Sequence, residues 1–340
     1  MDGFRLDVIN FIVNDPALTD NPVAAYKRPP ATATQYQKHI HDRSQPLALE
    51  FLADLRALMD RYDAKMTVGE IVDEEPLARQ QEYTAPPNRL HTAYSFFLLA
   101  ASKAPPALFA EALTAWSGAA RWPAWSLGNH DVDRFASRLA GNDPAHARIL
   151  MAVLVCLRGT IFLYQGEELG LPQATVPFDR LRDPFAIASY TGGSGRDGAR
   201  TPMPWSAANA SAGFSASPAT WLPGDDAHRP LAVDRQETDP ASTLNFTRRL
   251  IALRRGAAAL REGEASVVAA PDGVLGFERE VPGERLLCVF ELSGEARGVA
   301  VPAGALVVAT FGVAVLRNAK LELGAFGGAV LRIEPAHAAP

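Results

Sequence analysis

Residues 65–70 read Lys65-Met66-Thr67-Val68-Gly69-Glu70, a short β-prone run that ends on a carboxylate. Upstream of it Ala48, Phe51, Leu52, Leu55, Leu58, Met59 and Tyr62 recur at three- and four-residue intervals, behind Ser44 as N-cap and with Pro46 in the first turn. The spacing predicts an amphipathic helix over 44–62. A helix feeding such a strand is half of a βαβ unit, so this stretch points to an α/β fold with a parallel sheet.

The alternation continues outward. Phe4 to Val8 reads as a strand before the helix. After Glu70 come Tyr94 to Leu99 as strand, Pro106 to Trp116 as helix and Ala124 to Leu127 as strand, closing on Gly128-Asn129-His130-Asp131. Ala145 to Leu157 is apolar on almost every face, as in a helix packed between neighbours, and Thr160 to Tyr164 follows as a buried strand ending in Gln165-Gly166-Glu167-Glu168. Five parallel strands are thus expected. Between residues 171 and 240 periodicity gives way to Gly, Pro, Ser, Asp and Ala, a loop of a length that shapes a site. Thr243 to Arg255 resumes helical spacing. From residue 263 the texture becomes short β runs (Val274 to Phe277, Leu286 to Leu292, Val313 to Leu316, Ala329 to Ile333). Turns at Pro271-Asp272-Gly273 and Pro282-Gly283-Glu284 separate them and predict a small antiparallel domain over 263–340.

The 340 residues suffice for about two domains and a large buried core. With 33 Lys+Arg against 38 Asp+Glu the net charge is -5, which disfavours nucleic acid as a partner. No apolar stretch reaches membrane-spanning length, so no membrane partner is expected. Cys156 and Cys288 lie in apolar segments and read as buried thiols. His39 and His41 lack a third ligand nearby and read as loop histidines, so no metal site is expected. Gly192 to Gly198 lack the Lys-Ser/Thr ending of a phosphate loop. Trp116, Trp122 and Trp125 read as core.

Three carboxylates stand at or next to strand C-termini: Asp7, Glu70 and Asp131. A carboxylate so placed is, taken singly, more often a loop acceptor or a helix N-cap. Three in successive units, one near Arg5 and one beside His130, reverse that preference, because strand ends converge on one face of an α/β barrel. Paired carboxylates suit glycoside hydrolysis, one attacking and one protonating the leaving oxygen. Arg5 lies two positions before Asp7, on the same strand face, and would hold Asp7 ionised as nucleophile. Glu70 has no cation adjacent in sequence, which allows the raised pKa of a general acid.

Asp2-Gly3-Phe4-Arg5-Leu6-Asp7-Val8-Ile9-Asn10, Val68-Gly69-Glu70-Ile71 and Leu127-Gly128-Asn129-His130-Asp131 closely resemble three signature regions of the α-amylase family of glycoside hydrolases, family 13. The bacterial α-glucosidase and oligo-1,6-glucosidase branch is the most similar. Tyr36 to Ile40, Tyr164 to Gly170 and Gly195 to Trp205 add to the resemblance, which runs through the β-rich tail. It implies Asp7 as nucleophile, Glu70 as acid/base and Asp131 as the third carboxylate, with Arg5, His130 and Arg200 binding substrate. It also implies a retaining double displacement on α-glucoside disaccharides or oligosaccharides, no cofactor, and a cytoplasmic location. Val8 resembles the residue of α-1,6-acting members, and an ordinary β-branched strand residue accounts for it equally well. A transglucosylase or sucrose isomerase using the same residues, or a non-catalytic relative serving as a binding or assembly module, are the alternatives.

Family members place three βα units before the strand of the nucleophile, including a loop that commonly binds a metal ion. The expectation is therefore a partial (β/α)8 TIM barrel over 1–262, strands 4 to 8 of the family barrel, in an N-terminally truncated chain of doubtful activity. A small antiparallel β-sandwich domain follows. The strand of Asp7 is expected to present an unpaired edge.

Overall fold

The computed structural model describes residues 2–25, 36–118, 121–188 and 192–334. The chain forms two compact units, Met1–Leu98 with Ala119–Trp125, and Leu99–Gly118 with Ser126–Pro340.

In the first unit β1 (Gly3–Leu6), α1 (Pro46–Met59), β2 (Met66–Ile71), α2 (Pro76–Tyr83) and β3 (Thr92–Ser95) alternate, and a four-residue helix, α3 (Phe96–Leu99), follows directly. The strands form a parallel sheet in the order β1-β2-β3. Ala48 and Leu52 of α1 are buried with Ile9, Ile71, Tyr83, Leu90 and Ala93, which makes the core of this layer. The apolar face predicted for α1 splits: Phe51, Leu58 and Tyr62 remain about half exposed. Ser44 is not the N-cap. That place falls to Gln45, while Ser44 takes a left-handed φ of 55° and donates its hydroxyl to Asp73 at 2.6 Å.

Two elements depart from the sequence reading. The strand expected over Tyr94 to Leu99 ends at Ser95, and Phe96-Phe97-Leu98-Leu99 turns helical, since a short apolar run fits a buried strand and a buried helix equally well. Helix α2 went unread because its key buried residue is polar. Gln80 donates to the carbonyls of Ala93 (2.6 Å) and Ala124 (3.2 Å) and accepts from Ser95 Oγ (2.9 Å), stitching the layer together.

The second unit contains α4 (Pro106–Ala115), the end of β4 (Ala124–Ser126), α5 (Phe135–Arg138), α6 (Pro144–Cys156) and β5 (Thr160–Phe162). Asp143 caps α6, accepting from the N–H groups of Ala145 (2.7 Å) and His146 (3.2 Å), and every residue from Ile149 to Cys156 is buried. Among its described residues the long loop holds short 3-10 turns and two five-residue helices, α7 (Pro184–Ala188) and α8 (Val233–Glu237). Helix α9 (Thr243–Gly256) starts on Ser242, and α10 (Ala258–Glu262) leads into the strands.

The strands β6 (Glu264–Val267), β7 (Val274–Val281), β8 (Glu284–Glu291), β9 (Arg297–Ala300), β10 (Leu306–Phe311), β11 (Ala314–Arg317), β12 (Lys320–Leu323) and β13 (Gly328–Ile333) build two antiparallel sheets, β10-β13-β8-β7-β6 and β11-β12-β9. Leu287, Val289, Val299, Leu321 and Leu331 fill the space between them. The five-stranded sheet is covered on its other face by α4, α6 and α10, which explains why β8 reads as an unbroken apolar run. On that covered face Cys288 meets Cys156 of α6. Both are free, buried thiols, and burial raises the Cys288 pKa well above its ordinary value. Trp116 and Trp125 are buried and Trp122 is partly so. Among the described residues no helix is long and apolar enough to cross a membrane.

Candidate active site

The parallel register pairs Leu6 with Gly69 and Glu70 with Tyr94, so Arg5, Glu70 and Tyr94 share a sheet face at the C-terminal ends of β1, β2 and β3. Arg5 lies at the centre. One guanidinium nitrogen contacts Asp7 and the other meets Glu70 Oε2 at 2.7 Å, while Nε and Nη2 donate to the Tyr94 hydroxyl at 3.2 and 2.9 Å. Tyr94 donates in turn to Glu70 Oε1 at 2.9 Å. The Val8 N–H donates to Glu70 Oε2 at 3.3 Å. Burial works against the Arg5 charge, yet the bonds to Tyr94 and Asp7 outweigh it and raise the Arg5 pKa. Burial likewise pushes the Tyr94 phenol up to about 12, which keeps it protonated and able to donate.

This geometry corrects the reading of Glu70. It has no cation beside it in sequence, but the sheet register delivers Arg5 to it across two strands. The two carboxylates also differ in access: the Asp7 side chain is 70% exposed and that of Glu70 is 1% exposed. Val8 is corrected as well. The strand ends at Leu6, and Val8 sits outside it with φ 32° and ψ 49°, a left-handed conformation rare for a β-branched residue, at the start of a 3-10 turn over Ile9–Phe11. Buried Asn10 holds this turn by donating to Val72 O at 2.8 Å and accepting from its N–H at 3.3 Å.

In the second unit Asp131 follows β4 by five residues, and its N–H donates to Asn129 Oδ1 at 2.8 Å. Arg200 donates to Asp131 Oδ1 at 2.8 Å and to the His130 carbonyl at 2.7 Å; His130 Nε2 lies 3.4 Å from Asp131 Oδ2. Arg196, a residue the sequence reading did not single out, reaches the same Asp131 oxygen at 3.3 Å while its other nitrogens bind buried Asp183 at 2.9 and 2.6 Å. That ion pair lowers the Asp183 pKa and raises that of Arg196. Both arginines come from the 3-10 turn and its cap at Gly195–Arg200. Gly195 there has φ 52°, and a Cβ would strike Ala186 at 2.4 Å, so this glycine serves loop packing.

Arg5, Asp7 and Glu70 therefore form one cluster, and His130, Asp131 and Arg200 form another, each within its own unit. Tyr94 and Arg196 are the polar partners that sequence reasoning missed. For Arg196 the Gly195-Arg196-Asp197 run offered a signal; for Tyr94, paired with Glu70 by the sheet register, the sequence offered none. His39 pairs with Asp42 at 2.7 Å and His41 lies 3.7 Å from Asp15. Among the described residues no group of three His, Cys, Asp or Glu side chains is arranged to hold a metal ion.

Parallel strands ending in acid–arginine clusters, followed by an antiparallel sandwich, define the class: an α/β catalytic-type fold with an appended β domain. Comparison with known proteins makes this specific. Residues 1–263 match the family model "Alpha amylase, catalytic domain", and the chain belongs to that family. It is 41% identical over 308 residues to a probable α-glucosidase of Rhizobium meliloti (strain 1021), covering 87% of this chain and 56% of that protein. It is 28% identical over 331 residues to an oligo-1,6-glucosidase of Parageobacillus thermoglucosidasius, covering 86% of this chain and 57% of that one. A solved α-glucosyl transfer enzyme, XgtA, superposes with a TM-score of 0.89 at 38% identity, over 97% of this chain and 64% of that chain. The chain spans just over half the length of these curated relatives.

Proposed function

We propose that the protein is a retaining α-glucosidase in which Asp7 attacks the anomeric carbon and Glu70 acts as acid/base. The observation that carries this reading is the single Arg5 guanidinium spanning an exposed and a buried carboxylate. Two carboxyl groups in such different surroundings are what a division into nucleophile and proton donor requires. Asp7 would form a glucosyl-enzyme intermediate while Glu70 protonates the departing oxygen, and Glu70 would then take a proton from water as the intermediate is hydrolysed. Asp131, held by Arg200 and Arg196, would bind sugar hydroxyls with His130. Short α-glucosides are the substrate class, in line with the names of the similar proteins. Residues 1–262 would then supply strands of a (β/α)8 barrel and residues 263–340 the sandwich.

The test is turnover of p-nitrophenyl α-glucoside by an active preparation carrying Glu70→Gln. A fall of about 10²- to 10⁴-fold is expected for loss of a general acid/base, and unchanged turnover removes the mechanism. A 2-fluoro glucosyl trap should add its mass at Asp7. Transfer to an acceptor sugar is the second reading, favoured by the similarity to an α-glucosyl transfer enzyme. Incubation with maltose and analysis for longer glucosides separates transfer from hydrolysis.

A further inference from the structure

A cavity of about 640 Å³ lies between α6, α9, strand β10 and the segments at Gly312–Val313 and Ala325–Phe326, wholly within the second unit, and shares no residue with the acid–arginine clusters. Its walls include Phe246, Phe311, Phe326 and Leu253, with Phe246 edge-on to Phe311 at 6.0 Å. The polar side chains that line it are Arg148, Arg249 and Thr310. No carboxylate or amide side chain is present. Among the described residues neither arginine takes part in an ion pair. Arg148 donates to Thr243 Oγ1 at 3.2 Å, and Arg249 to the Pro240 carbonyl at 2.9 Å.

A second, independent feature is backbone strain at one wall. Phe326 has φ 53°, a left-handed conformation unusual for a bulky side chain. Its ring stacks on His146 at 4.4 Å. Its N–H is pinned at 2.9 Å by the buried Glu291 carboxylate, which also accepts from Ser293 and Gly294. Strain of this kind persists where surrounding structure enforces it, and it clusters at ligand sites.

The volume falls within the range of small-molecule sites, which are mainly apolar with a few convergent polar groups. A sugar fits the lining poorly, because its hydroxyls would lack amide and carboxylate partners. Two cations without ion-pair partners beside an aromatic and aliphatic wall complement an anion with an apolar body. We propose that this cavity binds a medium-chain aliphatic carboxylate, its chain against Phe246, Phe311 and Leu253 and its carboxylate at Arg148 and Arg249.

Calorimetric titration of the 340-residue chain with dodecanoate tests this. One saturable site is expected, with affinity reduced at least about tenfold by Arg249→Glu, a charge reversal at an exposed position. Ala325→Trp, which places an indole at a lining position, should abolish binding. Dodecyltrimethylammonium, with the same chain and opposite charge, should not bind. Thermal melts of each variant establish folding, and if one variant fails to melt cooperatively the other and the cationic probe carry the test. Unsaturable uptake, equal binding of the cationic probe, or binding unchanged in a folded variant overturns the proposal.

Discussion

Glu167 sits fully buried after β5, its Oε2 accepting the Tyr164 N–H at 2.9 Å and its Oε1 so close to Gly128 that a Cβ there would come within 2.5 Å of it. Burial pushes its pKa from 4.5 up to about 8. The folded chain therefore holds a proton that the unfolded chain releases between those values. The stability contributed is full below about pH 4.5 and is lost as pH rises through about 8. Glu167→Gln removes this dependence, so its melting temperature should gain on that of the parent as pH is raised from about 5 to about 9. Parallel melting curves over that range would contradict the assignment. At Tyr94, Phe deletes the hydroxyl that joins Arg5 to Glu70. About 1–3 kcal/mol of stability should be lost in denaturant titrations, as for a buried polar group left short of a partner. Asp7, Glu70 and Asp131 could be singled out from the sequence as candidates, because a carboxylate closing a strand-like run is a local feature, although β1 ends at Leu6 and Asp7 lies just past it. The Arg5–Glu70 contact was not legible, because it depends on the pairing of β1 with β2.

At the scale of elements, the C-terminus of α6 shows how arginines from other elements, one of them fully buried, replace an ordinary cap. Arg254 of α9 donates to the carbonyls of Val155, Leu157 and Gly159, and Arg279 of β7 donates to Cys156 O at 2.7 Å. Val155 and Cys156 carry two of the last carbonyls that the helix leaves without partners, at the end where its dipole favours cations, and Leu157 and Gly159 follow directly on it. Arg254→Met keeps the apolar stem but strands the three carbonyls it holds, and a loss of about 2–4 kcal/mol in urea unfolding is expected. A change below about 0.5 kcal/mol would mean that water replaces the guanidinium. The amphipathic and all-apolar helices were readable from spacing. Helix α2, which buries Gln80, was not, because hydrophobic periodicity carries no information about polar side chains satisfied inside a core, and the helical turn after Ser95 was not, because a short apolar run suits a strand and a helix alike.

At the scale of the whole molecule, β1 is the outer strand of its sheet among the described residues and pairs there with β2. Phe4 on β1 and Met66 on β2 are each nearly half exposed. An apolar strand edge of this kind is a template for pairing with another chain. The 340-residue chain should accordingly associate with rising concentration in sedimentation velocity, and Phe4→Lys should reduce that association; a monomer at all concentrations would oppose it. By itself the sequence determined the alternating α/β architecture and the antiparallel strands of the tail, since these follow from local periodicity, and it singled out three carboxylates as candidates from their places at the ends of strand-like runs. Only the tertiary structure decided that Arg5 serves two carboxylates, that Arg196 joins Arg200 on Asp131, that Glu167 is buried and that a cavity lined by Arg148 and Arg249 opens beside the sandwich. Each of these depends on residues far apart in the chain being brought within a few ångströms, and sheet register and packing set such distances where local spacing does not.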